Sequence, residues 1–344
     1  MMRFRLGLAL VLLGSGCKGC GDKSSPAPSG LDAAGDVASA DAGATCSEAQ
    51  TVPYDLDTGS GVLFGTLELP AGCAPPVVAL IHAGSGPTDR DGNSTQPGVH
   101  PDSYRLLAAG LAERGIASLR YDKAGVMASA GAAPANEADY RFEMGADDAA
   151  RWVKLVRADA RFGRVAFAGH SEGALVAMLA AKQQKVDAYA SLEGAGRPIG
   201  AVLREQLARS PADPDLLVEA NAILDSLEIG QVVADVPAAL VSLFRPSAQP
   251  YLISWMKYDP AREIASVDAP VLIVQGTTDI QVSITDANLL AAARADATLA
   301  IIEGMNHVFK TATLDTASQN RANADPSLPI VDPLFAALVG FFAR

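Results

Sequence analysis

One stretch of the chain decides the fold, and it reads Arg164-Val165-Ala166-Phe167-Ala168-Gly169-His170-Ser171-Glu172-Gly173-Ala174-Leu175-Val176-Ala177-Met178-Leu179. Its composition predicts a short buried strand, a five-residue turn with glycine at both ends, and an apolar helix. A serine at such a corner exposes its hydroxyl above the sheet edge, because the two glycines lack the Cβ atoms that would collide as strand and helix close together. Ser171 then lies at a helix N-terminus, where unpaired N–H groups favour developing negative charge. The alternative is a strand–helix turn without chemistry.

The composition excludes several classes of function. The chain has 344 residues, of which 49% are hydrophobic and 19% charged, enough to bury one large core. Its formal net charge of −12 argues against nucleic acid or an anionic membrane as a partner, because phosphate binding needs clustered Lys and Arg. The sequence contains no such cluster. A single α/β domain is therefore the simplest organisation.

Further strands and helices are predicted around the central corner. Segments with strand patterns are Thr51–Thr58 and Val62–Leu69, which form a hairpin, then Val77–Ile81, Ile116–Tyr121, Val186–Leu192, Pro270–Gln275 and Thr298–Ile302. Helical patterns cover Tyr104–Leu111, about Ala138–Ala160, and the C-terminus from a predicted Asp332 cap onward. Because strand and helix alternate, the sheet should be mostly parallel with helices on both of its faces.

The N-terminal segment has the features of an export signal followed by a tether. A basic start leads into the apolar run Leu6–Leu13 and small residues before Cys17, so residues 1–16 are interpreted as a signal peptide. This segment resembles the signals of bacterial lipoproteins, whose cysteine is lipidated, with Gly14 where those signals usually carry Leu or Val. Ordinary cleavage and release is the alternative, and either way export to the cell envelope or beyond is expected. Residues 17–45 are poor in bulky apolar side chains, which predicts a flexible tether.

All four cysteines lie in the first 73 residues of the chain, namely Cys17, Cys20, Cys46 and Cys73. None has the strand–turn–helix setting of a nucleophile, and no CxxC pair faces a second pair, so no zinc site or other metal site is expected. Export permits a disulfide. Cys46 with Cys73 is the predicted pair, which would join the start of the domain, residues 46–344, to the end of its first hairpin.

The loop His82–Asn93 follows a predicted buried strand. It resembles the oxyanion-hole segment of the α/β-hydrolase superfamily, in the bacterial branch of esterases and serine aminopeptidase-like hydrolases. In those enzymes a loop after the third strand supplies one backbone donor, and the residue after the nucleophile supplies the other. The resemblance implies the N–H groups of Gly84, with Ser85 as a near alternative, and of Glu172. His82 itself is interpreted as a strand-end histidine that holds the loop.

Two late strands end in residues that complete a catalytic arrangement. Asp279 follows one of these strands and His307 follows the next. Both positions match the superfamily, in which an acid and then a histidine follow the nucleophile in chain order. The resemblance, which covers about residues 50–344, therefore implies Ser171, Asp279 and His307 as the catalytic triad.

The other histidines and two other acids have different predicted settings. His170 lies at the corner before Ser171 and is interpreted as pointing away from the site. His82 belongs to the oxyanion segment, and His100 lies in a proline-flanked loop. Asp286 and Glu303 remain alternatives for the acid.

Two further segments resemble parts of the superfamily. Residues 196–267 lack strand signals and carry helical patterns broken by prolines, which resembles the helical cap of many α/β-hydrolases. A dimerisation surface is the alternative for this insertion. The loop after the strand Ile116–Tyr121 also resembles its superfamily counterpart, and there Asp122 and Lys123 are predicted to form a structural ion pair.

The predicted reaction is acyl transfer from a small carboxylic ester to water, by a serine esterase that needs no cofactor. Its alternatives are an aminopeptidase-like serine peptidase, whose acidic pocket Glu193 or cap residues would supply, and a non-catalytic envelope lipoprotein that binds a ligand. A lipid anchor would be the only contact with a membrane. The acyl and alcohol groups and the oligomeric state stay open.

Overall fold

An eight-stranded sheet lies at the centre of the structure, a computed structural model that describes residues 47–72, 76–95, 98–209 and 213–344. The strands are β1 (Gln50–Asp57), β2 (Val62–Leu69), β3 (Val77–His82), β4 (Ala117–Tyr121), β5 (Arg164–His170), β6 (Ala188–Leu192), β7 (Val271–Gly276) and β8 (Thr298–Ile302). Their order across the sheet is β1-β2-β4-β3-β5-β6-β7-β8. Only the pairs β1–β2 and β2–β4 are antiparallel, so the predicted mostly parallel sheet is confirmed.

Helices cover both faces of this sheet. They are α1 (Ser103–Ala112), α2 (Phe142–Arg157), α3 (Glu172–Gln183), α4 (Ile199–Arg209), α5 (Pro214–Glu228), α6 (Val241–Phe244), α7 (Gln249–Trp255), α8 (Pro260–Ala265), α9 (Ile284–Ala293), α10 (Thr316–Ala324) and α11 (Asp332–Phe342). Side chains alternate along each strand, so Val78 and Leu80 of β3 join the core under α2, α3 and α9. Their neighbours Ala79 and Ile81 join the core under α1 and α11.

Five helices, α4 to α8, lie between β6 and β7 and make up the predicted helical insertion. Helix α5 buries four side chains at helical spacing, namely Ala220, Ile223, Leu224 and Leu227. It packs against α4 and α7. The insertion therefore has an apolar interior of its own, and α7 also contacts α2 beside the sheet.

The starts of two helices differ from the prediction for reasons that the local structure shows. Helix α2 begins at Phe142 because Glu137–Asp139 forms a separate 3₁₀ turn and the intervening backbone is extended. The last helix is preceded by Val331, and Asp332 is its first residue. The Asp332 side chain is 91% exposed, so it favours the helix by its charge in the first turn and not as a cap.

Several predictions for the N-terminal part lie outside the described residues. These are the signal peptide 1–16, the tether 17–45, lipidation of Cys17, and the disulfide between Cys46 and Cys73. The described neighbours of that pair, Ser47 and Gly72, exchange two backbone hydrogen bonds of 2.8 and 3.0 Å. Within the described part of the chain, no helix has the length and apolar character needed to cross a membrane.

Candidate active site

The corner between β5 and α3 places Ser171 at the first turn of a helix. Ser171 has φ 54° and ψ −120°, a conformation that costs a non-glycine residue about 1–3 kcal/mol. A Cβ at Gly169 would lie 2.1 Å from the Gly173 carbonyl oxygen, and one at Gly173 would lie 2.6 Å from the His82 carbonyl oxygen. Only glycine fits at these two positions. The close approach of α3 to the sheet therefore fixes Ser171 above the sheet edge, partly exposed.

Asp279 and His307 meet at the same edge. His307 Nδ1 lies 2.6 Å from Asp279 Oδ2, and both side chains are buried. The other carboxylate oxygen accepts the N–H groups of Gln281 at 2.7 Å and Val282 at 3.0 Å. Burial raises the pKa of Asp279, but the charge and hydrogen bond of His307 oppose it, and the net pKa is lowered. An ionised Asp279 fixes the His307 tautomer that has its proton on Nδ1, which leaves Nε2 as the base.

The two alternative acids have other surroundings. Asp286 is fully buried, forms a capping box with Ser283 at the start of α9, and pairs with Arg197 at 2.7 Å. Glu303 is exposed. Among the described residues, Asp279 is the only hydrogen-bond partner of His307 Nδ1.

The interpretation that His170 points away from the site is wrong. Its ring centroid lies 4.6 Å from that of His307, and its Nε2 donates to the His307 carbonyl oxygen at 2.8 Å. Its Nδ1 lies 2.6 Å from the Tyr104 hydroxyl, which also accepts the Gly84 N–H at 2.9 Å. Burial, and next the charge of His307, lower the pKa of His170 well below its usual value, so the ring is neutral. His170 thus connects the loop of His307 to the loop after β3, whereas His100 is exposed.

This bridge changes the assignment of the oxyanion donor. Because the Gly84 N–H is already bonded to the Tyr104 hydroxyl, it is not available to an oxyanion, and the prediction of Gly84 as donor is wrong. The near alternative, Ser85, has an N–H with no acceptor among the described residues. The N–H of Glu172 lies in the first turn of α3, where a helix offers no internal acceptor.

Glu193 was not predicted to contact the triad. It follows β6, is fully buried with φ 51°, and accepts the Gly276 N–H at 3.0 Å. Burial and the adjacent Asp279 charge raise the pKa of Glu193 well above its usual value, which favours its neutral form beside the Asp279 carboxylate. The sequence signal that could have found this contact is its position directly after a parallel strand, because the carboxyl ends of parallel strands meet at one edge.

Glu193, Asp279 and His307 also form the only metal-ligand-type cluster of the described residues, with donor atoms within 4.8 Å of one another. His307 Nδ1 and Asp279 Oδ2 are joined by the hydrogen bond described above, and Glu193 Oε2 accepts a hydrogen bond from Gln275 Nε2 at 2.5 Å. All three side chains of the cluster therefore have protein partners.

The predicted ion pair between Asp122 and Lys123 is also wrong. Asp122 accepts the backbone N–H of Arg90 at 2.8 Å and its guanidinium at 2.7 Å. Lys123 donates to the Gly84 carbonyl oxygen at 2.5 Å and lies 3.8 Å from the Glu172 carboxylate. Asp122 therefore anchors the loop after β3 through Arg90, and Lys123 binds a single peptide of that loop. His82 bonds the Tyr121 hydroxyl of β4 at 2.7 Å.

A pocket lies beside this loop, under the helical insertion. Its wall includes Ser85 and Glu172 of the site, and the aromatic residues Tyr140, Phe142, Tyr251 and Trp255. Phe142 and Trp255 stack with ring centroids 5.2 Å apart. Helices α6 and α7 supply the roof, whereas the apolar face of α5 packs inside the insertion and does not line the pocket.

A fold with a serine on a strand–helix corner, followed by an acid and a histidine at later strand ends, defines an α/β-hydrolase. Residues 78–316, more than half of the chain, match the Alpha/beta hydrolase family, and the chain belongs to that family.

The individual relatives described next share at most 26% sequence identity with the chain. The chain is 26% identical over 254 residues to esterase EstD of Thermotoga maritima, across 72% of this chain and 58% of the relative, so it spans less than two thirds of that protein. Among solved structures it is similar to Est1E of Butyrivibrio proteoclasticus with bound ferulic acid, with TM-score 0.56, 19% identity, and coverage of 85% of this chain and all of that one. E-2-(acetamidomethylene)succinate hydrolase matches with TM-score 0.51 and 17% identity over 86% of this chain and all of that one.

The assignment of the acid predicts different results for two buried aspartates. Asp279→Asn should lower turnover of a p-nitrophenyl ester by about ten-thousand-fold, because His307 loses the partner that fixes its tautomer. Asp286→Asn, the matched control, should keep turnover within several-fold while melting at a lower temperature, because it breaks the pair with Arg197. An inactive Asp286→Asn beside an active Asp279→Asn would contradict the assignment.

Proposed function

We propose that the protein is a serine hydrolase that cleaves small carboxylic esters through an acyl-enzyme. The observation that carries this proposal is the 2.6 Å bond between His307 and Asp279 at the same sheet edge as the Ser171 corner. An intact acid–base pair beside a strained serine favours catalysis over a non-catalytic ligand-binding role, for which neither feature has a use.

The proposed reaction has two steps. His307 Nε2 takes the proton of Ser171 Oγ as that oxygen attacks the ester carbonyl carbon, and the N–H groups of Ser85 and Glu172 stabilise the oxyanion. The tetrahedral intermediate collapses, the bond to the alcohol oxygen breaks, and His307 gives its proton to the departing alcohol. Water, deprotonated by His307, then attacks the acyl carbonyl carbon, the bond to Ser171 Oγ breaks, and His307 returns the proton to Oγ as the acid leaves. The reaction requires no group beyond these residues.

The charges in the pocket favour an ester over a peptide with a free amine. Glu193, considered above as the counter-ion for an amine, is buried against Asp279 and does not line the pocket. Glu172 does line it, but Lys123 lies 3.8 Å away and balances its charge. Burial raises the pKa of Glu172, against the opposing effects of Lys123 and of Tyr251. A substrate ammonium would therefore lose hydration without gaining a free carboxylate.

The N-terminal sequence supports a proposal on location. We propose that the protein is exported and held in the bacterial cell envelope by a lipid on Cys17, with residues 17–45 as the tether. Intact mass of the membrane fraction should show an acylated N-terminus that Cys17→Ser abolishes, while Cys20→Ser, the matched control, leaves it unchanged. An unmodified, released protein with another N-terminus would contradict the anchor.

Ser171 is expected to react with an active-site probe. A fluorophosphonate should label the wild type and fail on Ser171→Ala, whose ester hydrolysis should fall by roughly a million-fold if the triad acts as a unit. Ser191→Ala is the control, because Ser191 is fully buried in β6. Labelling that survives Ser171→Ala would contradict the assignment of the nucleophile.

The roofed pocket predicts a limited acyl length. Each methylene buried should gain about 0.8 kcal/mol until the pocket is full, so kcat/KM for p-nitrophenyl esters from C2 to C16 should rise toward medium chains and then fall. Leu252→Trp should move the optimum to shorter chains, because Leu252 lines the pocket, whereas Leu314→Trp changes a residue that is 66% exposed and should not. Faster cleavage of alanyl- or prolyl-nitroanilide than of every ester would favour the peptidase.

A further inference from the structure

The peptide group between Gly84 and Ser85 has an unusual set of contacts. Its carbonyl oxygen accepts a 2.5 Å hydrogen bond from the ammonium of Lys123. Its N–H, which belongs to Ser85, has no acceptor among the described residues. A Cβ placed on Gly84 would lie 3.3 Å from Ser171 Cβ, so this peptide runs directly past the nucleophile.

We propose that Lys123 is a positioning residue of the oxyanion hole, which acts through the Gly84–Ser85 peptide. In a trans peptide the C=O and N–H bonds point in opposite directions, and the described residues contain no cis bond. An ammonium on the carbonyl side therefore orients the N–H toward the opposite side. It also draws electron density toward the oxygen, so the Ser85 N–H becomes a stronger donor. This inference rests on the proposed function, because it concerns the oxyanion of that reaction.

Burial of the lysine is the second observation. The Lys123 side chain is 12% exposed and lies in a largely apolar wall, where an ammonium without a partner is costly. Burial lowers the pKa of Lys123, and the Glu172 carboxylate opposes this change. Glu172 is itself fixed by the Tyr251 hydroxyl at 2.9 Å. The pair thus keeps a cation close to the place where negative charge develops during catalysis, in surroundings that screen it weakly.

The loop after β3 does not need Lys123 as a structural anchor. The loop after β3 is already anchored by Arg90, whose backbone N–H and guanidinium both bind Asp122. The Gly84 N–H is held by Tyr104, a third attachment. Because these bonds do not involve Lys123, its removal should leave the loop in place and mainly alter the peptide that faces the oxyanion.

The test compares Lys123→Met, Lys123→Gln and Lys123→Arg in the full chain. For a p-nitrophenyl ester we expect Met and Gln to lower kcat by about 10- to 100-fold with KM nearly unchanged, less than the roughly 100- to 1,000-fold that follows loss of a direct oxyanion donor. Arg, which keeps the cation, should recover most of the turnover. Lys182→Met, which removes a surface lysine paired with Glu263, should retain wild-type kcat.

Inhibitor binding separates an oxyanion effect from a structural one. A trifluoromethyl ketone forms a tetrahedral adduct with an oxyanion, whereas the corresponding secondary alcohol only fills the pocket. Lys123→Met and Lys123→Gln should weaken the ketone by about the factor lost in kcat and leave the alcohol unchanged. Wild-type kcat in either variant, or equal weakening of both inhibitors, would overturn the proposal. A wild type that hydrolyses no ester would instead contradict the proposed function, so the two failures are distinguishable.

Discussion

The closeness of α3 to the strand ends is the constraint on which the site depends. With no room for a Cβ at Gly169 or Gly173, the chain must turn sharply between β5 and α3, and Ser171 takes the left-handed conformation that results. The Ser171 N–H donates to the Leu192 carbonyl oxygen of β6 at 2.9 Å, which holds the turn against the sheet. The rigid sheet edge thus supports a strained residue, and Asp279, His307 and the loop after β3 reach the same edge.

Charge in the site is arranged in compensated groups. Asp279 is paired with His307, and Lys123 balances Glu172 beside the pocket. In such dry surroundings an isolated ion would be costly, so each charge requires its partner. The charged partners also fix the positions of other groups in the site. Asp279 bonds His307, and Lys123 bonds the Gly84 carbonyl oxygen. Arg245, which also lines the pocket, is paired with Glu137, so the pocket offers no unpaired carboxylate to a cationic substrate.

The fold and the positions of the candidate triad could largely be predicted from the sequence, for a definite reason. Buried parallel strands are continuous apolar runs, so their ends could be read from the sequence, and the resemblance to the α/β-hydrolases then implied Ser171, Asp279 and His307 at three of those ends. The side-chain partners could not be predicted in this way. Lys123 and Asp122 are neighbours in sequence but extend to different groups, and His170 turns back to the His307 carbonyl. Which N–H of the oxyanion loop stays unpaired depended on Tyr104, a residue of α1 that carries no motif.

We expect Ser171, activated by His307 and Asp279, to become acylated by an ester, and trapping the acyl-enzyme tests this expectation most directly. The wild type would be mixed with a p-nitrophenyl ester, quenched in acid within milliseconds to seconds, and analysed by intact mass and by mass of the peptide that contains Ser171. An acyl-enzyme mechanism predicts a burst of about one nitrophenol per active site and an added acyl mass on Ser171 alone. Hydrolysis without any acyl adduct, or an adduct on another residue, would contradict it.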